Sequence, residues 1–307
     1  MNWILLAEQC LNGFQLGILL FLLAAGLTLT FGIMDFVNLA HGTLYMIGAF
    51  IGAATTLATG SYLIGIVAAV LGSLLIGALI EKVALQSLYA RHHLDQVLAT
   101  FGLILFFNEL VQVLWPNDGL TLPFPDWLRG TVILPLGIEY SKFRLGIIVT
   151  GLTVAFGLWF LVARTRIGML IRAGASNRTM AGALGVNIPL LFTVVFGLGA
   201  ALAGLAGILI TPILGATSGM GEQIIILAFV VIVIGGIGSV RGAFIAAVLV
   251  GMIDTLGRAF LDGILLLLLP ANAAEAAGPA LSSMLIYIFM VLVLFFRPEG
   301  LFPPRSG

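Results

Sequence analysis

The chain has 307 residues, 61% of them hydrophobic and only 8% charged, with a formal net charge of zero. Soluble domains carry about 25% charged residues, so this chain lacks the polar surface to face water, and its mean hydropathy of +1.21 places it in a bilayer. The charge balance gives no electrostatic reason to expect a nucleic-acid or strongly acidic partner. The single cysteine, Cys10, excludes an intrachain disulfide and a Cys-rich metal site.

The first nine residues carry one charge, Glu8, and no basic group ahead of the apolar stretch. The first run therefore reads as a permanent helix rather than a cleaved signal. A helix crossing the hydrocarbon core needs about 20 mostly apolar residues. Candidate runs are Leu11–Ile33, Thr43–Thr59, Tyr62–Ile80, Val97–Trp115, Leu145–Ala163, Leu190–Ile213, Ile224–Ile237, Ala243–Leu261 and Leu281–Phe296. The second and seventh are short and Gly-rich, which predicts broken or tilted helices. The expected fold is an all-α polytopic integral membrane protein, one transmembrane domain over residues 1–307, with eight or nine crossings.

Lys82, Arg91, Arg164, Arg166, Arg172, Arg178, Arg241, Arg297 and Arg305 fall in alternate connections and the tail, whereas Asp118, Asp126, Glu139, Glu222, Asp262 and Glu275 fall in the others. The basic side is cytoplasmic by the positive-inside bias, so the tail and the loop 164–189 are expected there. Nine crossings would put the N-terminus outside and eight inside. The opposite loop, 116–143, holds Pro116, Pro123, Pro125 and Pro135 with Trp115 and Trp127 at hand, a composition suited to an interfacial cap. Small residues at four-residue spacing (Gly48/Gly52, Gly199/Ala203/Gly207, Ala243/Ala247/Gly251) predict close helix packing.

Two segments interrupt the apolar pattern. Gly32–Gly42 (GIMDFVNLAHG) sets Asp35, Asn38, His41 and Gly42 between the first two runs. Polar groups at membrane depth face a cavity or a partner, and discontinuous helices use freed backbone groups at transport sites; a plain turn in water fits the same residues. Ile234–Gly242 (IGGIGSVRG) supplies Gly235, Gly236, Gly238 and Ser239, without the strand context of a nucleotide-binding loop. Both have glycine, a polar centre, a closing glycine and then a small-residue helix, as an internal repeat would.

The cytoplasmic loop 164–189 places Ile167, Leu170, Ile171, Met180 and Leu184 on an apolar stripe with Arg172 and Arg178 on polar faces, and Gly185 as a helix stop. From the residues alone, an amphipathic helix lying on anionic lipid is slightly favoured over a helix offered to a groove on a partner. Enzyme constellations are poor: His92, His93 and Asp95 sit in a solvated connection, and Ser176 has no neighbouring base. Glu109 and Gln112, three apart, share a helix face expected to turn into the bundle, and Asp254 and Arg258, four apart, are spaced for an ion pair.

Taken together, residues 38–42 (NLAHG) with 45–48 (YMIG), 234–239 (IGGIGS) with Gly242-Ala243, the loop ending Leu184-Gly-Val-Asn187, and 297–301 (RPEGL) resemble the permease subunits of branched-chain amino acid ABC importers, in particular the H-type subunit. The likeness runs from about Leu11 to Phe302. It implies the permease architecture of ABC importers, a bacterial inner-membrane location, and a pore shared with a second related permease. Two cytoplasmic ATPase subunits, which use ATP and Mg, and a periplasmic substrate-binding protein would complete the assembly; this chain would bind no cofactor and would not itself be an enzyme. By the same likeness the loop couples to an ATPase through Arg172, Asn177, Arg178, Ala181, Leu184, Gly185 and Asn187, which overturns the lipid-surface reading. The chain departs from the family at Ser176 and Asn177, where acids are frequent, at Arg241, where proline is common, and at Leu227, where lysine is frequent. Urea, short amides and aromatic acids, carried by related permeases, therefore stay open as substrates. A lone ion-coupled transporter or channel using Asp35, His41 and Glu109 is the reading from another class.

Overall fold

The computed structural model describes residues 3–89, 91–115, 119–266 and 270–302. Eleven α-helices account for most of them: α1 (Trp3–Met34), α2 (His41–Thr59), α3 (Tyr62–Ile80), α4 (His93–Leu114), α5 (Lys142–Arg164), α6 (Arg166–Ser176), α7 (Arg178–Ala183), α8 (Ile188–Leu214), α9 (Met220–Gly235), α10 (Val240–Leu265) and α11 (Ala271–Phe296). Among the described residues, eight helical segments are long and apolar enough to cross a membrane; α9, at 16 residues, falls short by length. It still joins the two faces. Its start follows Ala216, which pairs with Leu120 of the long α4–α5 connection, while its last turn is laced to the C-terminal segment. Gly32 of α1 lies beside Gly238 near the C-terminal segment and Gly13 beside Met252, so Trp3 and Phe302 lie on opposite faces of the bundle, the arrangement of the nine-crossing alternative. We call the face bearing the C-terminal segment the tail face.

The centre is built from α1, α8 and α2, whose mid-sections are almost wholly buried. Small residues set these contacts as the spacing predicts. Gly26 of α1 lies against Gly199 of α8, Gly48 of α2 against Gly204, and Gly207 against the Tyr45 carbonyl; Gly17 and Gly13 admit the α10 backbone at Ala247 and Gly251. Where lipid supplies no hydrophobic drive between helices, such close backbone approach supplies the packing. The helices α4, α5 and α11 are largely exposed, with Leu98, Phe101, Phe156, Val291 and Phe295 on their outer surfaces.

The chain uses one device twice, in opposite directions. A long helix (α1, then α8) ends, an irregular segment follows, and a shorter helix (α2, then α9) begins inside the bundle. Gly42 and Gly221, each the second residue of the shorter helix, meet backbone to backbone. The counterpart of the first break is therefore the segment Gly215–Gly219, which the sequence did not mark. The Gly235–Ser239 break, paired with the first by sequence, instead stands beside it, with Gly32 against Gly238.

The α4–α5 connection contains an element the composition did not announce, an antiparallel hairpin of β1 (Thr131–Leu134) and β2 (Ile138–Ser141), with Val132 opposite Tyr140. Gly137 turns it in the left-handed region at φ 78°. Tyr140 is buried under the hairpin, and that burial pushes its phenol up to about 12. Trp127, in the same connection, is exposed. Pro116, Asp118, Arg305 and the side chain of Glu275 lie outside the described residues.

Candidate functional site

The first break is a re-entrant turn. Asp35 takes φ 51°, the one left-handed non-glycine among the described residues, a region that Asp tolerates better than most residues. Residues 35–40 then bring the start of α2 beside Gly26, about two turns back along α1. Phe36 is buried in T-shaped contact with Tyr89, which meets Phe192 edge-to-face in turn. The Val37 N–H donates to Gln96 Oε1 at 3.4 Å, and the Gln96 amide donates to the Leu88 and Arg91 carbonyls. The break is thus braced by the end of α3 and the start of α4.

Asn38 and His41 are both 0% exposed. Neither the Asn38 side-chain amide nor the His41 ring nitrogens make a well-formed hydrogen bond, and the Thr28 hydroxyl nearby in the buried core of α1 shares this state. Buried polar groups without partners cost about 1–3 kcal/mol each, so native structures hold few of them and those few need a reason. Gly42, next in sequence, is buried at the contact with Gly221.

The second break closes on the tail face. Gly236 and Gly238 take φ 100° and 85°, and the Ser239 hydroxyl caps α10 by accepting from the Gly242 N–H at 3.1 Å. Gly235 faces Gly242 closely enough that a side chain on either would strike the other's backbone. The last carbonyls of α9 are satisfied from a distance: Leu301 N–H donates to Ile234 O at 2.8 Å, and Phe302 N–H to Gly235 O at 3.0 Å. The RPEGL segment therefore caps a helix remote from it in sequence.

Between α5 and α8 the loop 164–189 folds as two helices with an elbow at Asn177. Asn177 accepts from the Met180 N–H at 2.9 Å and so starts α7; Gly185, at φ 91°, ends it; Asn187 accepts from the Leu190 N–H at 3.1 Å and starts α8. Ile171 and Ala181 are buried, whereas Met180 and Leu184 are 58% and 79% exposed. The predicted apolar stripe is thus divided: one part seats the elbow, and Met180 and Leu184 project from it. Arg172 donates to the Val162 carbonyl, and Arg178 to the Met34 carbonyl at 3.2 Å.

Residues 9–294 match the family model described as branched-chain amino acid transport system, permease component. The chain belongs to this permease family. It is 30% identical over 308 aligned residues to the high-affinity branched-chain amino acid transport system permease protein BraD of Pseudomonas aeruginosa, covering 96% of this chain and 94% of that protein. It is 29% identical over 275 residues to the corresponding LivH protein of Escherichia coli K12, with coverages of 83% and 87%. The ribose import permease protein RbsC of the same organism is 26% identical over 238 residues, covering 72% of this chain and 71% of that protein. No solved structure matches.

In this permease two side-chain expectations need correction. Glu109 and Gln112 lie on the exposed surface of α4, not inside the bundle; Gln112 reaches Ser218 at 3.2 Å, and neighbouring Asn108 donates to Glu222. Their face of α4 is the one that carries Leu98, Phe101 and Leu105 nearer the tail face, because residues three, four and seven apart share it. Asp35, on the tail face, and Glu109, near the other, are not brought together, so the ion-coupled constellation is not assembled. The Asp254–Arg258 pair forms, with Arg258 Nε 2.9 Å from Asp254 Oδ1. Among the described residues no group of three His, Cys, Asp or Glu could hold a metal, His92, His93 and Asp95 included.

The sequence reading missed Glu81. It is fully buried in a π-helical turn, Glu81–Leu85, that continues α3. The Tyr89 and Thr193 hydroxyls donate to its two carboxylate oxygens, each at 2.6 Å. Burial first and this bond second raise the Tyr89 phenol far above its usual range. The available signal was a lone acid closing an apolar run, followed eight residues later by a tyrosine.

Proposed function

We propose that this permease forms half of the transmembrane pore of an ABC importer for branched-chain amino acids. A related permease supplies the other half, two ATPase subunits that use ATP and Mg drive it, and a periplasmic binding protein delivers the solute. The tail face is cytoplasmic in a bacterial inner membrane, because Lys82, Arg91, Arg164, Arg166, Arg172, Arg178, Arg241 and Arg297 collect in its connections. Residues 1–307 act as one permease domain. Asp35, Asn38, His41, Gly42, Gly235, Gly236, Gly238 and Ser239 shape the pathway, since both breaks have irregular backbone and the first holds Asn38 and His41, buried without a well-formed hydrogen bond.

The observation that carries this reading is the exposed pair Met180, on the six-residue helix α7, and Leu184, the residue that ends it, in a segment bounded by Asn177, Gly185 and Asn187. An apolar tip on a basic loop suits a groove on a cytoplasmic partner. The test is purification in mild detergent with identification of the chains that accompany it, for the wild type and for Met180→Asp/Leu184→Asp. Two ATPases and a second permease should co-purify with the wild type, and the ATPases should be lost from the variant. A homogeneous lone protein would turn the reading toward an ion-coupled transporter.

A further inference from the structure

We infer that Arg178 works inside this chain, as the joint that ties α7 to the first break, rather than on the surface of the partner ATPase. The inference rests on the reading of α6–α7 as the ATPase-docking element and assigns one of its residues a different task. Although Arg178 starts the helix that carries Met180 and ends at Leu184, its guanidinium turns inward. Nη1 donates to the Met34 carbonyl at 3.2 Å, and Nη2 lies 3.9 Å from Asp35 Oδ2.

Three features make this more than a surface ion pair. Met34 is the last residue of α1, which has no basic residue in its own last turn. A helix C-terminus leaves carbonyls unpaired and favours a cation there; Arg178 supplies it from 144 positions away. Secondly, the contact falls on the one left-handed non-glycine turn among the described residues, Asp35. A shift there passes directly into Phe36, which is buried against Tyr89, and then into Asn38, which is buried without a partner. Thirdly, Gly32, one turn back, lies against Gly238 of the second break. A displacement of α7 therefore has a hydrogen-bonded and covalent route to the first break and a packing contact onward to the second. The ion pair alone would do little, because its side chains are 43% and 62% exposed and such pairs are weak in water; the carbonyl bond fixes the geometry.

The test has two arms. In the first, Asn38→Cys in a Cys10→Ser background reports the opening of the first break through its rate of maleimide labelling in native membranes. Adding Arg178→Glu should raise the rate at least fivefold. Asp35→Asn, which keeps the left-handed turn and the Met34 bond, should raise it less. Arg178→Lys, which can still donate to the Met34 carbonyl, should keep it within twofold of the reporter alone, whereas combining Arg178→Glu with Asp35→Lys restores only the ion pair and should leave it raised. An unchanged rate with Arg178→Glu overturns the inference. In the second arm the co-purified complex is reconstituted in liposomes with branched-chain amino acid and its binding protein. Arg178→Glu should keep the ATPases at wild-type stoichiometry while solute moved per ATP falls at least tenfold; loss of the ATPases would make Arg178 a docking residue and overturn the inference. If no ATPase accompanies even the wild type, the importer reading has failed, and the labelling arm still decides the joint.

Discussion

The crossing of α1 and α8 at Gly26 and Gly199 makes an asymmetric prediction. A methyl on Gly26 would lie 2.7 Å from the Gly199 carbonyl oxygen, 2.8 Å from its Cα and 2.9 Å from His41 Nε2. Carbon–oxygen contacts settle near ~3.3 Å, so the helices would have to part by roughly 0.6 Å at their most crowded point. Two of the three obstacles are backbone, which cannot rotate away, and over-packing of this kind costs about 1–3 kcal/mol. Gly26→Ala belongs at the upper end. A methyl on Gly199 points differently and meets the Gly26 oxygen at 3.0 Å and carbons at 3.3 Å, a crowding relieved by a few tenths of an ångström, worth about 1 kcal/mol. Gly102 in α4 has nothing within 4 Å, and alanine there should stabilise by about 0.5–1 kcal/mol through helix propensity. Thermal unfolding of the purified chain in detergent should rank the midpoints Gly102→Ala above wild type, then Gly199→Ala, then Gly26→Ala. The double variant at 26 and 199 should cost less than the sum, since one separation admits both methyls. Equal midpoints for Gly26→Ala and Gly199→Ala, or strict additivity, would refute the packing argument.

Three further outcomes follow from the polar contacts. Glu81→Leu strands the Tyr89 and Thr193 hydroxyls and should cost about 2–4 kcal/mol, whereas Glu81→Gln should cost about 1, since a hydroxyl can turn to accept; unfolding midpoints compare the two. Arg258→Ala leaves the nearly buried Asp254 carboxylate unpaired and should cost about 1–3 kcal/mol, while Asp254→Asn should cost under about 1, as should Asp254→Asn combined with Arg258→Ala in the same assay. Asn177→Ala removes the cap of α7 at about 1 kcal/mol, and Asn177→Asp should restore it; amide exchange across Arg178–Ala183 should speed up in the first variant alone.

The fold was legible because a bilayer forces long apolar runs, and those runs need no partner to be recognised. Small residues at four-residue spacing also held, because close approach in lipid has few other solutions. Helix ends were less legible. The run read as Leu11–Ile33 is a helix from Trp3, since polar residues such as Glu8 and Gln9 extend a helix into the interface without raising its hydropathy. The hairpin at Thr131–Ser141 escaped because a prolyl-rich loop with four-residue strands offers too short an alternation to register.

At the candidate site the sequence marked where the apolar pattern fails, but not which way the side chains turn. Asn38 and His41 were expected to be costly in lipid, and both are buried, His41 beside Gly26. Glu109 carried the same expectation and lies on the surface of α4. The difference is one of neighbours: His41 begins a helix clasped by α3, α8 and α9, whereas α4 touches the bundle along a narrow line, leaving most of its circumference outside. Periodicity places residues on a common face but cannot say whether that face is covered. Arg178 shows the same gap at closer range. Its place opposite the apolar stripe made it a surface charge by pattern; the turn at Asn177 sets it beside the end of α1, where an uncapped helix terminus captures it.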